Sequence, residues 1–538
     1  MDGHDRGGVR SPPEKTCRGG CSDHKVQPGA QKGGRIGRRP ALGISVRGVY
    51  RLHAENDAAG CGGNLQHGAH PIELCLSGRP GGRGADAVLY PGGYVWEICE
   101  KDGNGGITLL PILFVSFVVL LLLGAPIAYS MGLASIFALL FGGAGFPLEV
   151  VVQRTYNLLD SYSLLAIPFF IVSGELMSSG GISKRLVQFA SDAVGHFRGN
   201  MAQVSILSSM IFAGVSGSSV ADAAACGSIL IPAMRSKGYD KGWTAALQAS
   251  AATMGPIIPP SMNMIIYGSL TGVSIGALFM GGVIPGVLIG VSMMCLVIFL
   301  STRPKFGYLR ASGKFVGFKK LWTSFRHAIL ALFMPVIIIG GIISGIFTAT
   351  EAGIAATVYA LFVGMFVYKE IRLKDLGRIF VNAALTSSTV LLIAGLAGPF
   401  GWLMGIVQFP QKTVAMLTTL SDNPIIILLL IILFLLVLTC FVEVLAAMIL
   451  VAPVLVQVCS TYSFHPIYFG VIVVIALLIG QVTPPVGVLL YVTSGIAECK
   501  FSEICRHIWP FIILLTTVVL LCVFFPPLVT FLPSLLMN

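Results

Sequence analysis

The sequence predicts an all-α, polytopic membrane protein built as an inverted repeat, with two re-entrant hairpins and two broken helices. Three observations lead there. The 538 residues are 55% hydrophobic and only 11% charged, with a mean hydropathy of +0.85, which is the composition of a membrane protein. Two apolar stretches carry the same interruption, Gly255-Pro256-Ile257-Ile258-Pro259-Pro260 and Gly480-Gln481-Val482-Thr483-Pro484-Pro485. Proline lacks a backbone donor and clashes with the preceding turn, so neither stretch continues a regular helix. Lipid tolerates the freed backbone groups only where protein or a water-filled cavity satisfies them. Finally, basic residues cluster in short loops between the apolar runs, and their sidedness orients each run.

The first 106 residues stand apart. They carry 14 Lys/Arg and 11 Asp/Glu, against 21 and 13 in 107–538, and contain no run long enough to span a bilayer. Residues 1–106 read as a Gly/Arg-rich, disordered tail, of the kind an upstream start assignment adds to a working protein. Cys17, Cys21, His4 and His24 fall in it without repeating a zinc-type spacing, so no metal site is expected there. No cleavable signal peptide precedes the first span, which leaves insertion to the spans themselves. The net charge of +11 does not call for nucleic acid, because the cations of the apolar body follow the positive-inside pattern.

The apolar runs are 107–143, 163–180, 203–233, 243–268, 272–300, 328–368, 381–407, 425–457, 467–492 and 507–537. About 20 residues make one crossing. Runs 107–143 and 328–368 therefore have the length for two each, with turns at Gly124-Ala125-Pro126 and Thr348-Ala349-Thr350-Glu351. Thr348 and Glu351 form a capping-box pattern, which assigns Glu351 to a helix start rather than to a ligand. Run 107–143 also admits a single crossing, which moves the tail from outside to inside. Run 203–233 is too long for one straight crossing and short for two. Lys184, Arg185 and Arg198 precede it and Arg235, Lys237 and Lys241 follow it, so both flanks read as cytoplasmic and the run as a re-entrant hairpin. Run 243–268 then crosses outward through the first break, and 272–300 returns to a cytoplasmic linker, 301–327, with seven Lys/Arg. After 328–368 and 381–407 the second hairpin, 425–457, opens outward, 467–492 crosses through the second break, and 507–537 makes the last crossing. The halves 107–300 and 328–538 thus repeat one order of elements in opposite orientation, as in several transporter folds. Sparse residue matches agree: Asp222 with Glu443 and Pro232 with Pro453 at an offset of 221, Gly255 with Gly480 and Pro259-Pro260 with Pro484-Pro485 at an offset of 225.

Broken spans at matching places point to the binding site of a secondary transporter. In the first hairpin, Ser216, Gly217, Ser218 and Ser219 offer hydroxyls, freed carbonyls and a tight turn, which suit a hard cation such as Na⁺; the bland alternative is a small-residue packing face. Asp222 is either a functional intramembrane acid or a carboxylate complementing a helix start, and Glu443 stands likewise in the second hairpin. Carbonyls freed around Gly255 and Gly480 suit a cation. After each Pro-Pro a half-helix begins, whose free N–H groups and dipole suit an anionic substrate group. Ser261, Asn263 and Thr483 would orient either ligand; the alternative is a structural proline kink. Few fixed cations lie in the spans, so an anion would rest on backbone dipoles and hydroxyls, balanced by a co-bound cation. No ATP motif is present: the stretch from Gly307 to Gly313-Lys314 has one residue too many and continues into Phe315. Neither a zinc helix motif nor a nucleophile elbow appears, so the chain is not expected to be an enzyme.

At these residues the chain resembles the large permease subunit of tripartite ATP-independent periplasmic (TRAP) transporters, the DctM-like family. The resemblance rests on Ala166-Ile167-Pro168-Phe169-Phe170 through Gly174-Glu175-Leu176-Met177, Ser216-Gly217-Ser218-Ser219-Val220-Ala221 through Pro232, Gly238-Tyr239-Asp240, Gly255 through Ser261, Thr271 through Ala277, and Gly341 through Ala352. With the second break it covers essentially 107–538. It implies a Na⁺-coupled importer of carboxylates such as C4-dicarboxylates, working by an elevator mechanism in the bacterial inner (cytoplasmic) membrane. Na⁺ is then the coupling ion, with no organic cofactor and no other metal. The implied partners are a small four-helix membrane subunit and a periplasmic solute-binding protein. By matching position, Ser216, Gly217, Ser218, Ser219, Gly255 and Pro259 make one cation half-site, and Glu443, Gly480, Thr483 and Pro484 its mate. Pro260, Ser261, Asn263 and Pro485 fall to the substrate. The chain departs from the family pattern at Asp222, Ala233 and Cys440. Two other functions share parts of this reading: a stand-alone Na⁺-coupled carboxylate carrier without a binding protein, and an ion channel or structural membrane subunit.

Overall fold

A computed structural model of the chain describes residues 73–74, 86–89, 95–98, 105–143, 145–310, 313 and 316–537. The chain divides into two compact units between Cys99 and Glu100. In the first, β1 (Glu73–Leu74), β2 (Asp86–Leu89) and β3 (Val95–Ile98) form a small antiparallel sheet in that order. The remainder of the expected disordered tail lies outside the described residues.

Every described element of the second unit is helical. Run 107–143 is two helices, α1 (Gly105–Leu122) and α2 (Ile127–Phe141). Gly124, at φ +84°, turns the chain between them, a conformation glycine adopts without a Cβ penalty. A short helix, α3 (Glu149–Leu159), and a 3-10 turn, Tyr162–Leu165, lead into α4 (Ala166–Ser179). Next come α5 (Ile182–Val194), then α6 (Asn200–Ser216) and α7 (Ser219–Ser236), which divide run 203–233. Run 243–268 becomes α8 (Lys241–Ala252) and α9 (Met262–Thr271), parted by the first Pro-Pro break, and α10 (Ile275–Ser301) follows.

The later half begins with α11 (Phe318–Ile343) and α12 (Ala349–Phe362), the latter closed by a π-helical turn, Val363–Val367. The expected capping box is present: Thr348 N–H donates to Glu351 Oε2 at 2.8 Å, and Glu351 N–H to Thr348 Oγ1 at 3.3 Å. The helix α13 (Leu373–Ile406) starts ahead of its apolar run and takes in Lys374, Asp375 and Arg378. Then come α14 (Phe409–Leu420), α15 (Pro424–Thr439), α16 (Val444–Thr461), α17 (Pro466–Gly480) and α18 (Val488–Ala497). The chain ends in α19 (Phe501–His507), α20 (Trp509–Phe524) and α21 (Pro527–Leu536). Run 507–537, read above as one crossing, is thus divided at Phe525, where Pro526-Pro527 starts a new helix. Among the described residues, six helices are long and apolar enough to cross a membrane, or seven if the pair α19–α20, bent by 51°, counts as one span.

Two helices form the centre of the packing. All residues from Gly242 to Ala252 of α8 are buried, as are those from Tyr468 to Gly480 of α17. A helix buried on all faces must be apolar or small-residued all round unless its polar groups are bonded; α17 is apolar throughout, and in α8 the buried Gln248 accepts from the Ser205 hydroxyl at 2.6 Å and donates to the Ser209 hydroxyl at 3.1 Å. Each runs directly into a Pro-Pro break, so both breaks begin inside the core. Beyond the breaks the chain crosses over. The half-helix α9 packs on α16 of the second hairpin, and α18 packs on α7 of the first hairpin and on α8.

Candidate functional site

The first hairpin turns at Gly217, whose φ of +62° is left-handed. Ser218 follows as the N-cap of α7 and accepts from Ala221 N–H at 3.4 Å. This tip lies directly on the first break. A Cβ at Gly217 would stand 2.5 Å from the Pro260 carbonyl oxygen, and one at Gly255 would stand 3.0 Å from the Ser218 carbonyl oxygen. Only glycine permits these approaches. Met262 N–H donates to the Gly217 carbonyl at 3.3 Å, so the backbones are also joined. The hydroxyl of Ser216, buried at the end of α6, donates to the Ser218 carbonyl at 3.4 Å. The Gly217 and Ser218 carbonyls and the Ser216 hydroxyl therefore lie at the seam with Gly255, Pro260 and Met262.

At the start of α9, Ser261 is fully buried. Its hydroxyl donates to the Pro256 carbonyl at 2.5 Å and accepts from Met264 N–H at 3.1 Å. It thus closes the broken segment on itself, satisfying one freed carbonyl and one freed amide. Asn263 is buried in the first turn of the same helix.

The second break has a similar shape with different chemistry. Both Pro-Pro peptide bonds, Pro259–Pro260 and Pro484–Pro485, are cis. The Thr483 hydroxyl donates back to the Ile479 carbonyl at 2.8 Å. Gly480 lies against the end of α15, where a Cβ would collide with the Thr439 hydroxyl. Glu443 caps α16: its Oε2 accepts from Leu445 N–H at 2.9 Å and Ala446 N–H at 3.2 Å. A carboxylate so engaged complements the positive helix end. Asp222 differs. It is fully buried in the first turn of α7, with Ser209 and Cys226 as its polar neighbours.

One contact was not foreseen. The Ser219 hydroxyl, at the first hairpin, donates to Gln481 Oε1, in the second break, at 2.8 Å. Both side chains are buried, and 262 residues separate them. Farther along α7, Arg235 Nη1 donates to the Ala497 carbonyl at 3.1 Å and meets Glu498 at 3.2 Å. The first hairpin is thereby fastened to the end of the second half at two levels. Of the residues expected at the first half-site, Ser216, Gly217, Ser218 and Gly255 come together, joined by Pro260, which was expected on the substrate side, while the Ser219 hydroxyl turns to Gln481. In the second, Gly480 meets α15 four residues before Glu443.

Comparison with known proteins places this geometry. The family model described as "Tripartite ATP-independent periplasmic transporter, DctM component" matches residues 114–528. The 2,3-diketo-L-gulonate TRAP transporter large permease protein YiaN of Escherichia coli is 38% identical over 407 residues, 76% of this chain and 95% of that protein. The sialic acid TRAP transporter large permease protein SiaM of Vibrio cholerae is 38% identical over 420 residues, 78% of this chain and 97% of that protein. The crystal structure of the Alcanivorax borkumensis YdaH transporter superposes with a TM-score of 0.51 at 15% identity, over 77% of this chain and 98% of its own, a likeness of fold alone. With the matched region spanning both hairpins and both breaks, the chain belongs to the DctM family: it is a multi-span large permease of bacterial TRAP transporters, and not an enzyme.

Proposed function

We propose that the chain is the large permease of a Na⁺-coupled, binding-protein-dependent secondary transporter that imports organic anions, carboxylates foremost. The observation that carries this reading is the first hairpin tip seated on the first break, where neutral oxygens from two backbone segments converge without a fixed cation. Such a set suits a hard monovalent cation, and the half-helix N-termini beyond the breaks suit a carboxylate. Ser216, Gly217, Ser218, Ser219, Gly255 and Pro259 hold one Na⁺, and Glu443, Gly480, Thr483 and Pro484 a second. The substrate lies toward Pro260, Ser261, Asn263 and Pro485. In this reading the halves 107–300 and 328–538 form an inverted repeat, the hairpins open to opposite faces, and hairpins and broken helices move together as an elevator. Relatives whose names cite a sugar acid and sialic acid support a carboxylate substrate. The partners are a small four-helix membrane subunit and a periplasmic binding protein.

The test is reconstitution in liposomes with the small subunit and candidate binding proteins. Saturable uptake of a labelled carboxylate that needs both the binding protein and an inward Na⁺ gradient is expected. Equal uptake without the binding protein would make the chain a stand-alone carrier, and non-saturating, Na⁺-independent flux would make it a channel.

A further inference from the structure

Gln481 belongs to neither set of site residues above, yet its side chain joins the first hairpin to the second break. The sequence offsets make its position telling. At 225 residues' distance its counterpart in the first break is Pro256, and at 221 residues' distance the counterpart of Ser219 in the second hairpin is Cys440. The symmetry-related contact would pair Cys440 with Pro256. Proline has no side-chain acceptor, and the Cys440 thiol instead donates within its own helix, to the Leu436 carbonyl at 3.1 Å. The link is therefore made once, and it makes the two halves unlike.

Its direction matters chemically. A serine hydroxyl has one proton and two lone pairs. With that proton committed to Gln481 Oε1 at 2.8 Å, the Ser219 oxygen turns only lone pairs to any other neighbour. Ser219 directly follows the hairpin tip, where the Ser218 carbonyl lies against Gly255 and the Gly217 carbonyl accepts from Met262 N–H at 3.3 Å. Gln481 is held in turn by its backbone: its N–H donates to the Leu478 carbonyl and its carbonyl accepts from Leu489 N–H, both at 3.2 Å. Both partners are nearly sealed from solvent, at 5% and 4% exposure, so water does not substitute for the bond at low cost.

We propose that Gln481 is a positioning residue of the first cation site: it takes the Ser219 proton, presents that oxygen to the cation as a pure acceptor, and couples occupancy of the first half-site to the second break. This rests on the Na⁺ reading given above. The test uses the complete reconstituted system and follows uptake against Na⁺ concentration, alongside Na⁺-induced thermal stabilisation of the purified permease. Gln481→Met keeps the volume and removes the acceptor; Gln481→Glu keeps the acceptor. The Met variant is expected to raise half-saturating Na⁺ about tenfold, to lower the Hill coefficient toward one, and to retain uptake at saturating Na⁺. The Glu variant is expected to keep the wild-type Hill coefficient, with half-saturation unchanged or lower. Wild-type Na⁺ dependence in the Met variant, or loss of it in the Glu variant, would overturn the assignment. Should the Met variant not fold, the Glu variant decides alone, since a merely space-filling glutamine would not tolerate a buried charge. Wild-type uptake indifferent to Na⁺ would instead remove the sodium reading itself, so the two failures are distinct.

Discussion

Gly217→Ala isolates the contact on which the candidate site depends. The substitution has two costs. A left-handed backbone costs a non-glycine residue about 1–2 kcal/mol. The new methyl would also lie 2.5 Å from the Pro260 carbonyl oxygen, about 0.9 Å inside the 3.4 Å where ordinary contact begins. Because Pro260 is itself backbone in a buried break, the hairpin tip has to withdraw, stretching the bond from Met262 N–H to the Gly217 carbonyl, now 3.3 Å. Losing that bond costs about 1 kcal/mol, and loosening the buried tip costs about 1–2 kcal/mol more. Together these two steric terms disfavour the closed tip by about 2–3 kcal/mol, roughly 30- to 150-fold in Na⁺ affinity. Gly238→Ala supplies the control. Gly238 also has a left-handed φ, +81°, but nothing lies within 4 Å of its would-be Cβ, so it shares the backbone cost without touching the site. The assay is half-saturating Na⁺ for carboxylate uptake in proteoliposomes, with thermal unfolding measured in parallel. If Gly217→Ala shifts half-saturation no more than Gly238→Ala does, the tip-on-break contact does not form the cation site.

Three further outcomes follow from the same geometry. Ser218→Ala combined with Ser219→Ala removes two hydroxyl oxygens from the tip and should weaken Na⁺ dependence at least about tenfold; unchanged dependence removes the first hairpin from the cation site. Gly480→Val should lower thermal stability and yield of folded protein, because its side chain meets Thr439 at the end of α15; normal stability would mean that α15 packs elsewhere. Thr348→Ala should cost about 1 kcal/mol of stability through the lost N-cap while leaving half-saturating Na⁺ unchanged, since Thr348 belongs to neither proposed half-site; a shift in Na⁺ dependence would contradict a purely capping role.

What the sequence made legible was local chemistry. Gly-to-Pro-Pro stretches stop helices for reasons contained within a few residues, and both breaks lie where those residues put them. The same holds for Gly217 within run 203–233 and for the Thr348–Glu351 box. Hydropathy did not reveal α3, α5, α14 or α19, whose short, mixed sequences carry no membrane-length apolar run. It also fused α20 and α21, although Pro526-Pro527 carried the signal that separates them. Least legible was everything that joins the halves. The seating of α9 on α16 and of α18 on α7 is a matter of tertiary packing, and no periodicity encodes it. Ser219 and Gln481 meet across 262 residues, and Gln481 drew no attention because an isolated glutamine beside a proline pair looks like any polar residue in a kink. Glu443 was legible as an acid at a helix start, but only the structure assigns one of its oxygens to two backbone amides.

The central claim is that the hairpin–break pairs bind Na⁺ and tie its movement to that of an organic anion. The most direct measurement is radiolabelled Na⁺ influx into proteoliposomes containing this chain, its small subunit and a loaded binding protein, with and without a carboxylate gradient. The account predicts Na⁺ entry that appears only with the carboxylate, in fixed proportion to it, and that is lost in the Ser218→Ala, Ser219→Ala double variant. Carboxylate entry with no accompanying Na⁺, or Na⁺ entry that ignores the double substitution, would contradict it.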